Sequence, residues 1–169
     1  MKWPLTLGIL MSATAALAQP AKVLSPQEIN RLVPAKIKGF YLKGESKSTQ
    51  TKVGTLTYTI CERTFASGER SVKILLFDYG AAAIMYDQAM TKWSKVSQTE
   101  SDSLIFRPAD FPDVNGWESF TLPGRHSQLI LGVNNRFFLT MTGENMELDE
   151  LKNIFRNFDL RKFPKNQSR

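Results

Sequence analysis

Leu129–Phe155 reads LILGVNNRFFLTMTGENMELDELKNIF, two apolar runs around an Asn-Asn pair followed by an amphipathic tail. Asparagine tolerates positive φ, so Asn134 and Asn135 can form the two-residue turn of a hairpin. That turn sets Val133 against Arg136, Leu131 against Phe138 and Gly132 against Phe137, with Gly132 leaving room for the Phe137 ring. Ile130 then faces Leu139, and Gln128 faces Met141. Both strand faces are apolar, which places this hairpin in the middle of a sheet. Gly143 ends the second strand. Asn145 reads as the N-cap of a final helix, with Glu147, Asp149 and Glu150 in its first turn. Leu148, Leu151, Ile154, Phe155 and Phe158 form one apolar stripe that can cover a sheet face. The stretch is therefore a folding unit rather than a ligand-handling device.

Outward from it, the same patterns recur. SVKILLFDY is a strand that is apolar on both faces by its end, and ASGER with Gly68 is a hairpin loop before it. From Lys52 to Thr64, Leu56, Tyr58 and Ile60 alternate with Thr55, Thr57, Thr59 and Cys61, which places the threonines on the wetter face. Ala82, Met85, Tyr86, Ala89, Trp93 and Val96 recur at helical spacing and predict a crossover helix. SQTESDS and PADFPDVNG read as loops, with the short apolar piece Leu104–Phe106 between them. Trp117–Leu122 reads as a strand that turns at Pro123-Gly124. Near the start, Ser25, Pro26 and Glu28 make a capping box with proline at the first helical position, and Pro34 stops that helix after about two turns. A short apolar run follows at Gly39–Leu42. The expected class is α+β: one mainly antiparallel sheet of about six to seven strands, a crossover helix, a C-terminal helix and a short N-terminal helix.

The N-terminus carries a different message. Lys2 precedes an apolar stretch from Leu5 to Leu17, and Ala16-Leu17-Ala18 is a small-x-small cleavage site, the order of a secretory signal peptide. The expected organisation is a signal peptide over 1–18, a disordered linker over 19–24, one domain over 25–163 and a flexible tail over 164–169. Cleavage leaves about 150 residues with a net charge of about +5, enough for one core. The apolar stretch is too short to span a bilayer and no later segment is longer, so the expectation is an exported protein, periplasmic or secreted, without a transmembrane segment. The 169-residue chain has net charge +6 and one cysteine, Cys61. An internal disulfide is thereby excluded, and Cys61 reads as a buried small hydrophobe.

The capped helix before Leu32-Val33-Pro34, then GFYLKGE, ERTFASGERSVKILLFDYG, VNGWESF and LGVNNRFFLTMTGE ahead of a helix ending Phe-Asp-Leu, resembles small exported bacterial proteins of unknown function. More loosely, the arrangement is similar to the α/β/α layers of the PsbP-like fold. The resemblance covers most of the mature chain and rests on core and turn residues. It implies a fold and carries over no catalytic residue.

Chemistry offers few candidates. His126 is the single histidine and Cys61 the single cysteine, so zinc-type ligand sets and HExxH or CxxC motifs are missing. No GxSxG, P-loop or GxGxxG occurs. A Cys61–His126 pair and a calcium loop at DFPDVNG are weighed against a turn histidine and an ordinary Asp/Asn/Pro/Gly loop, and the plain readings prevail. Glu100 with Asp102, or Asp78 with Asp87, read as solvated charges. The aromatic residues sit on apolar faces, which argues against nucleic-acid binding. The best ligand-binding candidates are Asp110, Asp113, Asn115 and His126, with no metal or cofactor expected. The reading is an exported non-catalytic domain that binds a cell-envelope protein or an anionic ligand. Its rival is a small periplasmic hydrolase-type enzyme with a site near the 110–126 loops. Homodimerisation through a strand edge is a further expectation.

Overall fold

The computed structural model describes residues 22–166; the signal segment expected over 1–18 lies outside the described residues. Helix α1 (Pro26–Asn30) is followed by β1 (Tyr41–Leu42), β2 (Lys47–Val53), β3 (Leu56–Ser67) and β4 (Arg70–Ala81). Helix α2 (Ala83–Ser94) leads to β5 (Thr99–Glu100), β6 (Leu104–Pro108), β7 (Asn115–Thr121), β8 (His126–Val133) and β9 (Phe137–Glu144). Helix α3 (Leu148–Phe155) and a 3-10 turn, Leu160–Lys162, close the chain.

The nine strands form one sheet in the order β1-β3-β4-β9-β8-β7-β6-β5, with β2 continuing the outer edge beside β3. Neighbours are antiparallel throughout. The chain runs β2-β3-β4, crosses the sheet through α2, then returns strand by strand until β9 pairs with β4. The β8–β9 hairpin is thus central, as its two apolar faces require. The α+β class holds, but the strand count exceeds the expected six to seven. β1 and β5 have two residues each, too few for a period, and β2 (KSTQTKV) is a polar edge whose exposed residues show no alternation. Lys47 and Lys52 on that edge discourage pairing with another chain.

The two sheet faces are filled unequally. On one, α1, α3 and the 3-10 turn cover a continuous core that includes Val72, Ile74, Leu76, Leu129, Leu131, Phe137, Leu139 and Met141. On the other, α2 covers a smaller cluster of Tyr79, Ala82, Tyr86, Ile130 and Phe138. The α1 capping box forms as the sequence predicts, with the Glu28 amide donating to Ser25 Oγ and the Ser25 amide donating to Glu28 Oε2.

Several local expectations are corrected. The β8–β9 loop has three residues, not two: Val133 pairs with Phe137, Gly132 with Phe138, Leu131 with Leu139 and Ile130 with Thr140. Asn134 and Asn135 do adopt positive φ, 55° and 51°, but Arg136 joins the loop because its guanidinium reaches buried Asp78. The one-residue change swaps the faces of β9 relative to β8. Gly132 makes room for α2 instead of Phe137: a Cβ there would lie 2.3 Å from the Tyr86 hydroxyl and 2.9 Å from Met90 Cε. Asn145 sits at φ 54° and its side-chain Nδ2 donates to the Glu69 carbonyl, so Glu147 is the N-cap of α3. The predicted wet face of β3 is the core face from Thr59 onward, since Thr59 and Cys61 are wholly buried after an irregularity at Thr57–Thr59. Val96 is exposed beyond the end of α2.

The segment expected as a disordered linker is also tied down where it is described. Val23 is buried, the Leu24 amide donates to Asp78 Oδ2 at 2.7 Å, and Thr59 Oγ1 donates to the Leu24 carbonyl at 2.6 Å. Part of the predicted flexible tail likewise packs: Asn134 donates to the Pro164 carbonyl and Asn166 to the Asn135 carbonyl.

Candidate functional site

Between β6 and β7, the chain must pass Pro108, Pro112 and two aspartates, which keeps the loop extended and at the surface. Phe111 anchors it by packing edge-on against Phe155 of α3, with ring centroids 4.7 Å apart; Phe155 in turn contacts Phe158 at 5.5 Å. The loop and the α3 end enclose a groove of about 640 Å3, with buried Phe155 and Phe158 as its floor. Asp110 and Asp113 form one lip, exposed and without a hydrogen bond or ion pair among the described residues. Arg156, Asp159 and Arg161 form the other. Arg161 donates to both Asp159 oxygens, at 2.8 and 3.1 Å, which holds the carboxyl below its ordinary pKa. Arg156 donates to Asn153 and has no carboxylate partner among the described residues. The groove therefore offers aromatic carbon, two free carboxylates and an unpaired guanidinium: equipment for holding a polar ligand.

The floor is braced from below. Glu118 on β7 is buried under α3, where Arg107 Nε approaches one oxygen at 2.8 Å and Lys152 Nζ the other at 2.9 Å. Arg107 also pairs with Glu100, and Lys152 Nζ lies 5.8 Å from the Phe111 ring centroid. The Glu118 hydrogen bond is the main cause that raises the Arg107 pKa. A buried carboxylate between two cations fixes the strand, the helix and the loop aromatic relative to one another.

The four ligand candidates do not converge on one place. Asp110 and Asp113 line the groove. Asn115 lies next along, in a smaller depression of about 290 Å3 that shares Pro112 and Asp113 and reaches Asn134 and Asn135. His126 is elsewhere: it pairs with Thr121 on β7, whereas Asn115 pairs with Gly132. Six residues of strand separate those positions, about 20 Å. His126 Nδ1 is 3.0 Å from Glu144 Oε1 at the partly exposed far end of β8. Buried Cys61 lies beneath α1, with Sγ 3.5 Å from Asn30 Oδ1. Among the described residues no three His, Cys, Asp or Glu side chains gather as a metal site requires, and no helix is long and apolar enough to cross a membrane.

Two further buried charged centres lie away from Glu118. Asp78, which the sequence presents as a solvated charge, is fully buried. It receives both Arg136 Nε and Nη2 at 2.7 Å and the amides of Leu24 and Gly80. Arg136 Nη2 also donates to the Lys22 carbonyl, so the pair clamps the start of the described chain onto β4 and β9. A Cβ at Gly80 would fall 2.8 Å from Arg136 Nε, so glycine there keeps the clamp closed. Asp78 has the parity of Val72, Ile74 and Leu76, and that was the available signal. Arg63 shares the parity of Cys61 and Phe65. All five of its N–H groups are spent on Ser46 Oγ, the carbonyls of Val33, Pro34 and Asn30, and Asn30 Oδ1.

No protein-family model matches this chain, and no curated protein or solved structure matches it significantly.

Proposed function

We propose that this chain is an exported, non-catalytic binding domain of the cell envelope, and that it holds its partner or ligand in the Asp110–Asp113 groove. One observation carries the reading: Asp110 and Asp113 stand unpartnered over an aromatic floor that a buried ion network makes rigid. Free carboxylates accept hydrogen bonds from hydroxyl, amide or ammonium groups, while the partly exposed ring of Phe111 beside them offers carbon to cover. The leader-type N-terminus, Lys2 through Ala18, supports export.

The hydrolase alternative needs His126 beside the aspartates, and the β7–β8 register keeps it about 20 Å from Asn115. The test is a paired capture from native envelope extract, with the mature protein and an Asp110→Ala/Asp113→Ala variant as baits. The expected result is a defined envelope component retained by the first and lost by the second, with equal melting temperatures. Identical retention by both baits, or turnover of a hydrolase substrate panel by the purified protein, overturns the proposal.

A further inference from the structure

On the far side of Asn157–Asp159 from the aromatic groove lies a second cleft of about 400 Å3, between the end of α1 and the 3-10 turn. Its charged lining is Arg31, Arg63, Lys162 and Asp159. Asp159 does not balance the cations, because both its oxygens are taken by Arg161, which lies outside this cleft, and Lys162 reaches it only at 3.9 Å. Buried Arg63 has no carboxylate partner among the described residues; its donors end on neutral oxygens, so a full positive charge stays behind the cleft wall. Arg31 is exposed and its guanidinium makes no hydrogen bond or ion pair among the described residues. Nearby Glu28 feels its charge, but that carboxylate is already held by Ser25.

Three cations from separate elements thus face one void whose single carboxylate, Asp159, is already held by Arg161. Arg31 and Lys162 have free donors, and Arg63 adds field from a poorly solvated position, where it is weakly screened. Donors that arrive from a helix end and from a 3-10 turn suit a tetrahedral anion with several oxygens better than a planar carboxylate. We infer that this cleft binds the phosphoryl group of an anionic ligand through Arg31 and Lys162, with Arg63 as a fixed positive charge behind them. The site is distinct from the Asp110 groove and does not depend on it.

The test uses the mature protein, inorganic phosphate, and vesicles with or without phosphatidylglycerol, all at matched ionic strength. Arg31→Ala/Lys162→Ala should weaken binding at least tenfold. Lys38→Ala/Lys165→Ala removes the same charge elsewhere and should change it less than twofold, as should Asp110→Ala. Arg63 is left intact because its removal would strip the carbonyls of Asn30, Val33 and Pro34 of a donor. Binding of inorganic phosphate alone supports the cleft with a soluble ligand; binding of phosphatidylglycerol vesicles over neutral ones supports it with a lipid headgroup. Equal weakening by the two double variants, or no binding to either probe, overturns it.

Discussion

The two faces of the sheet are built to different standards. Under α1 and α3, residues from β3, β4, β8 and β9 interlock with helix side chains into a continuous apolar core, stitched at its margins by Asp78–Arg136, Arg63 and Glu118–Lys152. Under α2 the cluster is small, Met85, Ala89, Met90 and Trp93 are only partly buried, and Ile84 stays exposed. Beyond the helix that face is open: Lys73, Thr142, Gln128 and Ser119 lie side by side across the strands with no fully buried member. The difference teaches where rigidity is available. Both proposed binding clefts border the densely packed face, where Phe155, Phe158 and Arg63 are held in place before any ligand arrives, and preorganised sites lose less entropy on binding.

The comparison can be broken most forcefully at its buried charges. Arg136→Met leaves Asp78 buried beside two amides, and loss of about 3–5 kcal/mol in urea unfolding is expected. A loss below about 1 kcal/mol would mean the clamp is ornamental. Next comes truncation on each face. Leu131→Ala should cost about 3–4 kcal/mol, and Met90→Ala on the α2 side about 1 kcal/mol. Equal costs by thermal or chemical melts would erase the asymmetry. At the junction of α2 with the sheet, Gly132→Ala sets a methyl against the Tyr86 hydroxyl and should destabilise by about 1–3 kcal/mol. Adding Tyr86→Phe should return part of that loss; no recovery in the double variant would remove Tyr86 as the cause.

A milder probe of the α2 face is alkaline stability. Burial, with a smaller contribution from Tyr58, pushes the Tyr79 hydroxyl up to about 12. Its ordinary pKa is 10, so the folded state keeps a proton that the unfolded chain releases as pH rises from about 10 to 12. The stability this group contributes is complete below pH 10 and is lost through that window. Tyr79→Phe should flatten the decline, and an unchanged pH profile in melting experiments would show that other groups cause it.

How much of this was legible depended on whether a residue's neighbours share its pattern. The central hairpin, the α3 stripe, the α2 crossover and the Ser25–Glu28 cap follow from periodicity and local hydrogen bonding, both written within a few residues of sequence. The polar edge strand β2 was not legible, because its pairing with β3 satisfies the backbone and leaves its side chains in water. The third loop residue at Arg136 was missed for a different reason: its cause, Asp78, lies 58 residues away. Strand parity did point to Asp78 as an inward residue, and the general habit of charges to stay solvated overrode it; Arg63 fell on the face that the threonines of β3 mark as wet. For the site, the loop at Asp110–Asn115 could be picked out by its turn chemistry. Its partners Phe155, Arg156 and Asp159 could not, since only tertiary packing brings them across from α3. His126 was grouped with that loop because sequence proximity, with no register to consult, stood in for distance.

The most direct test of where binding resides is a map of amide shifts in the 15N-labelled mature protein during titration with solubilised envelope components. The account predicts changes concentrated at 109–114 and 155–162, on the margin of the packed face, with the residues around His126 and the exposed turns of α2 unmoved. Shifts centred on His126, Thr142 and Gln128, or along the β2 edge, would contradict it.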